Sequence, residues 1–293
     1  MSAPDLARTC FLRACSLDVA VRKPGNVSLA SAGHGMRAEM FIASAHAAAG
    51  PLFERGARVG ERIEAAVAAT WAAAGCNTNL GILLLCAPIA LAVERCSEDT
   101  SPPALRPAIE AVLADLDLTD AEAAYRAIAR ARPGGLGAAP SQDVRQTPSI
   151  DLRAAMALAA DRDRIALQYR DGYADLFDTG IPALGRGYSL RAKTANHSPR
   201  ADETAAVQRL YLTLLSRFAD SHIVRIHGEA VAHTVMTAAQ AWLARTESDA
   251  DADADADPAF AAWDAALKAA RVNPGTTADL TVATLLIACL SGG

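Results

Sequence analysis

The chain lacks the marks of several enzyme classes at once. Its 293 residues contain no GxxxxGK[ST], which excludes phosphate binding by a P-loop. No HExxH, GxSxG or CxxC occurs, so zinc-protease, serine-hydrolase and dithiol readings have no residues to stand on. Aromatic residues make up only 5%, and no stretch sustains the alternation of a half-buried strand. The formal net charge of -5 argues against a nucleic-acid surface. No apolar run approaches the roughly 20 residues of a membrane span. Asp5, Arg8 and Arg13 interrupt any apolar core of a signal peptide. The six cysteines, Cys10, Cys15, Cys76, Cys86, Cys96 and Cys289, read as reduced, mostly buried thiols of a cytoplasmic protein.

What remains is an alanine-rich, 52% hydrophobic chain with helical patterning. We expect one all-α domain over 1–293, bundled around a buried central helix at about 79–94. That helix follows Gly75-Cys-Asn-Thr-Asn-Leu-Gly81, a polar entry to an almost wholly apolar run. Asn77 or Thr78 suits its N-cap, and Pro88 predicts a kink. Other helices are expected over 4–22, 36–49, 60–74, 104–116, 119–131, 151–177 with a bend near Gly172, 201–218, 221–245 with a break at Gly228, 258–270 and 276–290. Gly50-Pro51 should break the second of these, and Thr119 with Glu122 fits a capping box. Residues 132–149 form a long connection of the kind that often carries function. Asp249–Asp257 alternates aspartate with alanine and reads as a disordered acidic loop. It lacks the glycine and ligand pattern of a calcium loop.

Polar clusters interrupt this pattern at helix ends. They are Lys23-Pro-Gly-Asn-Val-Ser28 with His34, Asn77-Thr78-Asn79, Asp220-Ser-His222 with Arg225 and His227, and Asn273-Pro-Gly-Thr-Thr-Ala-Asp279. A weaker fifth joins Pro133-Gly-Gly-Leu-Gly137 to Asp143, Asp161 and Asp163. Each alone reads as a turn, a cap or a solvated face. Several together, all at ends of apolar helices, point to one polar site at one end of a bundle. Lys23 and Arg225 suit phosphate oxygens. Asp220 and Asp279 suit magnesium. The asparagines suit ribose hydroxyls or a base. The N–H groups and dipole at the start of the central helix favour an anion such as phosphate.

In order, Lys23-Pro-Gly25 with His34, Gly75-x-Asn-Thr-x-x-Gly81, Pro133-Gly-Gly-Leu-Gly137, Asp220-x-x-x-x-Arg225 and Asn273-Pro-Gly-x-x-Ala-Asp279 resemble the triphosphoribosyl-dephospho-CoA synthase family. The resemblance runs from about residue 10 to the C-terminus. It departs at Asn79 and Leu80, where better-known members carry histidine and a basic residue, and at Ser221, where they carry threonine. The resemblance implies a transferase that uses ATP unusually. The bond from ribose C1′ to adenine breaks, and the triphosphoribosyl group moves to the 2′-hydroxyl of dephospho-CoA. The product is the precursor of the prosthetic group of an acyl carrier protein.

On that reading His34, Asp220 and His222 carry catalysis. Lys23, Asn26, Ser28, Asn77, Thr78, Asn79, Arg225 and Asn273 bind the nucleotide or substrate. Asp220 and Asp279 hold magnesium. ATP and dephospho-CoA are the partners, with no nucleic acid and no membrane. The sequence does not choose between monomer and dimer. Two other readings stay open: a related ribosyltransferase acting on another coenzyme precursor, such as a pterin, and a non-catalytic nucleotide-binding helical protein.

Overall fold

A computed structural model describes residues 3–96, 99–185, 198–248, 254 and 256–291. The described residues are helical with no strand; Ser28 with Ser31 and Gly33 with Met36 form only isolated bridges. The helices are α1 (Ala3–Ala20), α2 (Ala38–Leu52), α3 (Val59–Ala74), α4 (Leu80–Arg95), α5 (Pro102–Ala114) and α6 (Leu118–Ala131). Then come α7 (Leu152–Ala157), α8 (Arg164–Arg170) and a π-turn at Leu176–Gly180 that runs into α9 (Ile181–Ala183). The C-terminal part holds α10 (Ala201–Arg217), α11 (Ser221–His227), α12 (Glu229–Ser248), α13 (Pro258–Ala269) and α14 (Gly275–Leu290).

The centre is a pair of apolar helices, α4 and α14. Leu83, Leu85, Cys86, Ala87 and Ile89 are fully buried on α4, as are Val282, Ala283, Leu285, Leu286 and Ile287 on α14. Helices apolar on all faces must be wrapped by others, and α1, α2, α3, α5 and α10 provide that jacket. Tyr169 and Tyr173 reach in to donate to the Leu84 and Leu85 carbonyls. A smaller cluster, Tyr211, Leu215, Ile223, Trp242 and Phe260, lies where α10 meets α11, α12 and α13.

Several expected boundaries move for identifiable reasons. Helix α2 runs through Gly50 and Pro51, because a proline in a final turn removes a bond from a helix already ending. Helix α6 is capped by Asp117 with Asp120, not by Thr119 with Glu122. The expected single helix over 151–177 is broken. Asp151 and Asp163 each cap a short new helix, and Gly172 and Tyr173 take left-handed backbone after the second of them, at the expected bend. Helix α4 continues through Pro88.

The cysteine expectation also changes. Cys10 on α1 and Cys289 on α14 are joined as a disulfide, with Cα atoms 5.5 Å apart, while Cys15, Cys76, Cys86 and Cys96 are free thiols. The partners are 279 residues apart, so only the α1–α14 contact brings them together. The acidic stretch 249–257 lies outside the described residues except for Ala254, Ala256 and Asp257. Asp257 caps α13 and pairs with Arg245 at 2.7 Å. No helix among the described residues is long and apolar enough to cross a membrane.

Candidate active site

One cavity of about 1220 Å³ lies where α4, α11 and α14 begin. Its wall is completed by the end of α1, the 26–36 loop, the 132–144 connection and the start of α8. Of the residues singled out from sequence, Asn26, His34, Asn77, Thr78, Asn79, His222, Arg225, Asn273 and Asp279 line it. Lys23, Ser28 and Asp220 do not.

At the start of α4, Asn77 is the capping side chain. Its Oδ1 accepts from the Leu80 N–H at 3.1 Å, while Asn79 occupies the N-cap position without using its own side chain. Thr78 donates to the Ser44 hydroxyl at 2.7 Å. Asn79 is 5% exposed, and neither its amide oxygen nor its amide nitrogen has a partner among the described residues. Gly81 leaves room for Asp279: a Cβ at Gly81 would lie 2.0 Å from the Asp279 Oδ2. Burial, with Asp18, Asp220 and Asp163 nearby, holds the Asp279 carboxyl well above the usual carboxylate range. Burial likewise raises Asp18, although Lys23 counters it.

Lys23 is placed differently from expectation. It is wholly buried and turned to the protein. Its ammonium sits 3.0 Å from Asp18 Oδ1, and it donates to the Asp18 carbonyl and to Asn26 Oδ1. Asn26 in turn donates to Asn273 Oδ1 at 3.1 Å. Gly25 packs so closely on this second segment that a Cβ would meet Pro274 at 2.7 Å. The Lys-Pro-Gly and Asn-Pro-Gly motifs are therefore two halves of one lock that holds the starts of the site loops. Ser28 is buried, and its hydroxyl has no partner among the described residues.

Asp220 also departs from the expected role of metal ligand and catalyst. One oxygen accepts from the His222 and Ile223 N–H groups at 2.9 and 3.0 Å. The other accepts from the Thr277 N–H and hydroxyl at 2.7 and 2.8 Å. Four donors saturate the carboxylate, so it ties α11 to α14 and leaves nothing for a cation. Among the described residues no three His, Cys, Asp or Glu side chains converge as a metal cage.

Helix α11 presents His222 and Arg225. The guanidinium Nη2 lies 3.2 Å from His222 Nδ1. Arginine only donates, so Nδ1 must accept, and the neutral ring carries its proton on Nε2. Burial and the charge of Arg225, with His34 and His227, push the His222 pKa down to about 4. His34 is the same tautomer with the other nitrogen left free. Its Nε2 is 2.8 Å from the Gly25 carbonyl, which can only accept, so Nδ1 is the free lone pair. Arg225 also donates to Asp163 Oδ2 at 3.1 Å and to the Gly134 carbonyl at 2.9 Å. A Cβ at Gly135 would meet Arg225 at 2.9 Å, which accounts for that glycine, while Gly137 takes left-handed backbone at φ 68°.

Sequence reasoning missed Asp18, Arg132 and Arg271. A signal exists in the backbone. His34, Arg132, Gln142, Tyr173 and Arg271 are the non-glycine residues with left-handed backbone among the described residues, and all but Tyr173 line the cavity. Such conformations cost about 1–3 kcal/mol each and cluster at functional sites. Leu136, Leu158 and Ile226, which are 42%, 53% and 46% exposed, form an apolar rim on the same cavity.

Fold and site thus define a helical protein with a polar cavity lined by carboxyl groups, guanidinium groups and imidazoles at converging helix ends. The chain matches the ATP:dephospho-CoA triphosphoribosyl transferase family model over residues 4–293 and belongs to that family of transferases. Among solved structures it is similar to a protein from Archaeoglobus fulgidus assigned as a triphosphoribosyl-dephospho-CoA synthase. The two share 22% identity and a TM-score of 0.63, covering 86% of this chain and 98% of that one. That likeness concerns the fold. No curated protein sequence matches the chain significantly.

Proposed function

We propose that this cavity carries the family reaction, transfer of the triphosphoribosyl group of ATP to the 2′-hydroxyl of dephospho-CoA. The observation that supports it is the meeting of residues from all five sequence-distant motifs on one cavity at the starts of α4, α11 and α14. Its volume exceeds the roughly 300–1,000 Å³ of a typical single-ligand site, which suits two substrates.

In the reaction the bond from C1′ to adenine breaks and a bond from the acceptor oxygen to C1′ forms. The proton lost by the hydroxyl is balanced by the one adenine gains. Charge develops at an oxocarbenium-like C1′. Asp18 and Asp279 line the cavity, and a cationic C1′ beside them favours their charged form, so the resulting carboxylates offset that charge. His34 offers the Nδ1 lone pair to the acceptor hydroxyl as general base. His222 offers Nε2–H to a ring nitrogen of the leaving adenine. Arg225, Arg132 and Arg271 hold the triphosphate, whose phosphorus atoms are not attacked. The apolar rim of Leu136, Leu158 and Ile226 takes the long arm of the acceptor.

Magnesium fits this site through Asp279, whose carboxylate has no hydrogen-bond partner among the described residues and whose neighbours are acidic. Magnesium takes one or two carboxylates plus substrate phosphates, so a complete protein cage is not required. Bound there, the cation would neutralise phosphate charge.

Incubation with ATP, magnesium and dephospho-CoA, followed by mass spectrometry, tests the reading. Free adenine and a triphosphoribosylated acceptor are expected. ADP without adenine would refute it. A pterin-type acceptor in place of dephospho-CoA tests the related transferase reading that Asn79 and Leu80 motivate.

A further inference from the structure

We infer that Asn79 reads the amino edge of an adenine ring. Asn79 stands at the N-cap of α4, a position whose side chain ordinarily bonds the first turn. Here Asn77 bonds the Leu80 N–H, the first of that turn, and the Asn79 side chain bonds none of the turn's N–H groups. The Asn79 amide lies 5% exposed on the cavity wall with both polar atoms unpartnered among the described residues. Buried polar atoms are almost always paired, so an orphan amide at a cavity calls for a ligand that pairs both ends.

The two orphan atoms select the ligand. A phosphate oxygen would satisfy the amide nitrogen and leave the carbonyl oxygen facing another acceptor. An adenine presents a donor, the 6-amino group, beside an acceptor ring nitrogen, which is the pattern an asparagine amide matches with two hydrogen bonds. Trp71 and Phe41 line the same cavity, and the face of an aromatic ring is what a heteroaromatic base stacks on. The inference rests on the proposed reading of the cavity. Both substrates of that reading carry adenine, so the shared chemistry is the adenine ring, and the test separates its two sources.

The test compares the wild-type protein and Asn79→Leu, with Asn79→Ala as a second variant, each first shown by circular dichroism to be folded. The donor arm replaces ATP with purine riboside triphosphate, which has hydrogen in place of the 6-amino group. The acceptor arm makes the same change in dephospho-CoA. With wild type, one arm should lower kcat/KM for release of the donor's base (purine in the donor arm, adenine in the acceptor arm) about 100-fold, because the amide oxygen is left buried and unpaired. In both variants that discrimination should shrink to a few-fold. Loss in the donor arm assigns Asn79 to the leaving base, and loss in the acceptor arm assigns it to the acceptor's base. Equal use of both purines by wild type, or discrimination that survives in the variants, overturns the inference. Calorimetric titration with ATP, dephospho-CoA and their purine analogues reads the same preference without turnover. A wild type that releases no adenine yet binds the adenine compounds selectively would therefore sink the catalytic reading and keep this one.

Discussion

Asp279 occupies the space that any side chain at position 81 would need, since a Cβ built on Gly81 falls 2.0 Å from its Oδ2. The carboxylate thus lies against the first turn of α4, where the helix dipole favours negative charge. Glycine in a helix costs about 1 kcal/mol relative to alanine, and here that cost leaves room for an acidic group at the site. Gly81→Ala should gain helix propensity and lose activity by tenfold or more, because Asp279 must swing away. Steady-state adenine release checks this. In the Asp279→Ala background the Gly81→Ala change should cost almost nothing further, and full additivity would refute the coupling.

Asp220→Asn and Asp279→Asn should separate scaffold from metal site. Asp220 accepts four hydrogen bonds that join α11 to α14, so its loss should lower stability by about 2 kcal/mol, the upper range for a cap. The magnesium concentration giving half-maximal rate should stay where it was. Asp279→Asn should shift that midpoint upward with little change in Tm. A shift in the magnesium midpoint with Asp220→Asn would restore that residue to the metal site.

The helices were legible because Leu80–Val93 and the last helix are apolar on every face, which leaves one solution: bury them. The motif clusters were legible as a site because polar residues at the ends of such helices have no packing reason to be there. Side-chain direction was not legible. Lys23 and Asp220 have the right chemistry for phosphate and metal, yet each is consumed by a buried partner that only the fold brings near. Arg132 and Arg271 stand in ordinary surface-like sequence, and only their left-handed backbone marks them. The break after Ala157 was missed because Asp163 caps a new helix inside a pattern that otherwise reads as continuous from Asp151.

His222 should make the fold acid-sensitive in a defined window. Its folded pKa is about 4, against an ordinary value near 6.5. Between these values the unfolded chain binds a proton that the folded one refuses. Stability therefore rises with pH across the window and is lost as pH falls from about 6.5 to about 4. His222→Gln keeps an N–H donor but cannot titrate, so its thermal midpoint should vary less with pH in this range. It should also retain more activity than His222→Phe, because the proposed role is donation from Nε2. Equal activity of the two variants would remove His222 from the leaving-group side of the reaction.

The phosphate clamp gives a contrast between Lys23 and Arg132. Lys23 is buried against Asp18, and removing one partner of a buried ion pair leaves the other uncompensated, typically at about 3–5 kcal/mol. Lys23→Met should therefore fail chiefly through stability, seen as a large drop in Tm. Arg132 ends α6 with φ 49°, where glycine is the residue the backbone prefers. Arg132→Gly should relieve that strain and stabilise the fold by up to about 1 kcal/mol, which protein-wide is the direction expected when a functional residue is removed. The same variant should raise KM for ATP about tenfold while leaving KM for dephospho-CoA near its wild-type value, since the proposed contact is with the triphosphate. Arg271, at φ 57° on the same cavity, should behave alike. Thermal unfolding and substrate titration on the same preparations decide the matter. If Arg132→Gly gains stability but keeps its KM for ATP, Arg132 is no clamp and the triphosphate is left to Arg225 and Arg271.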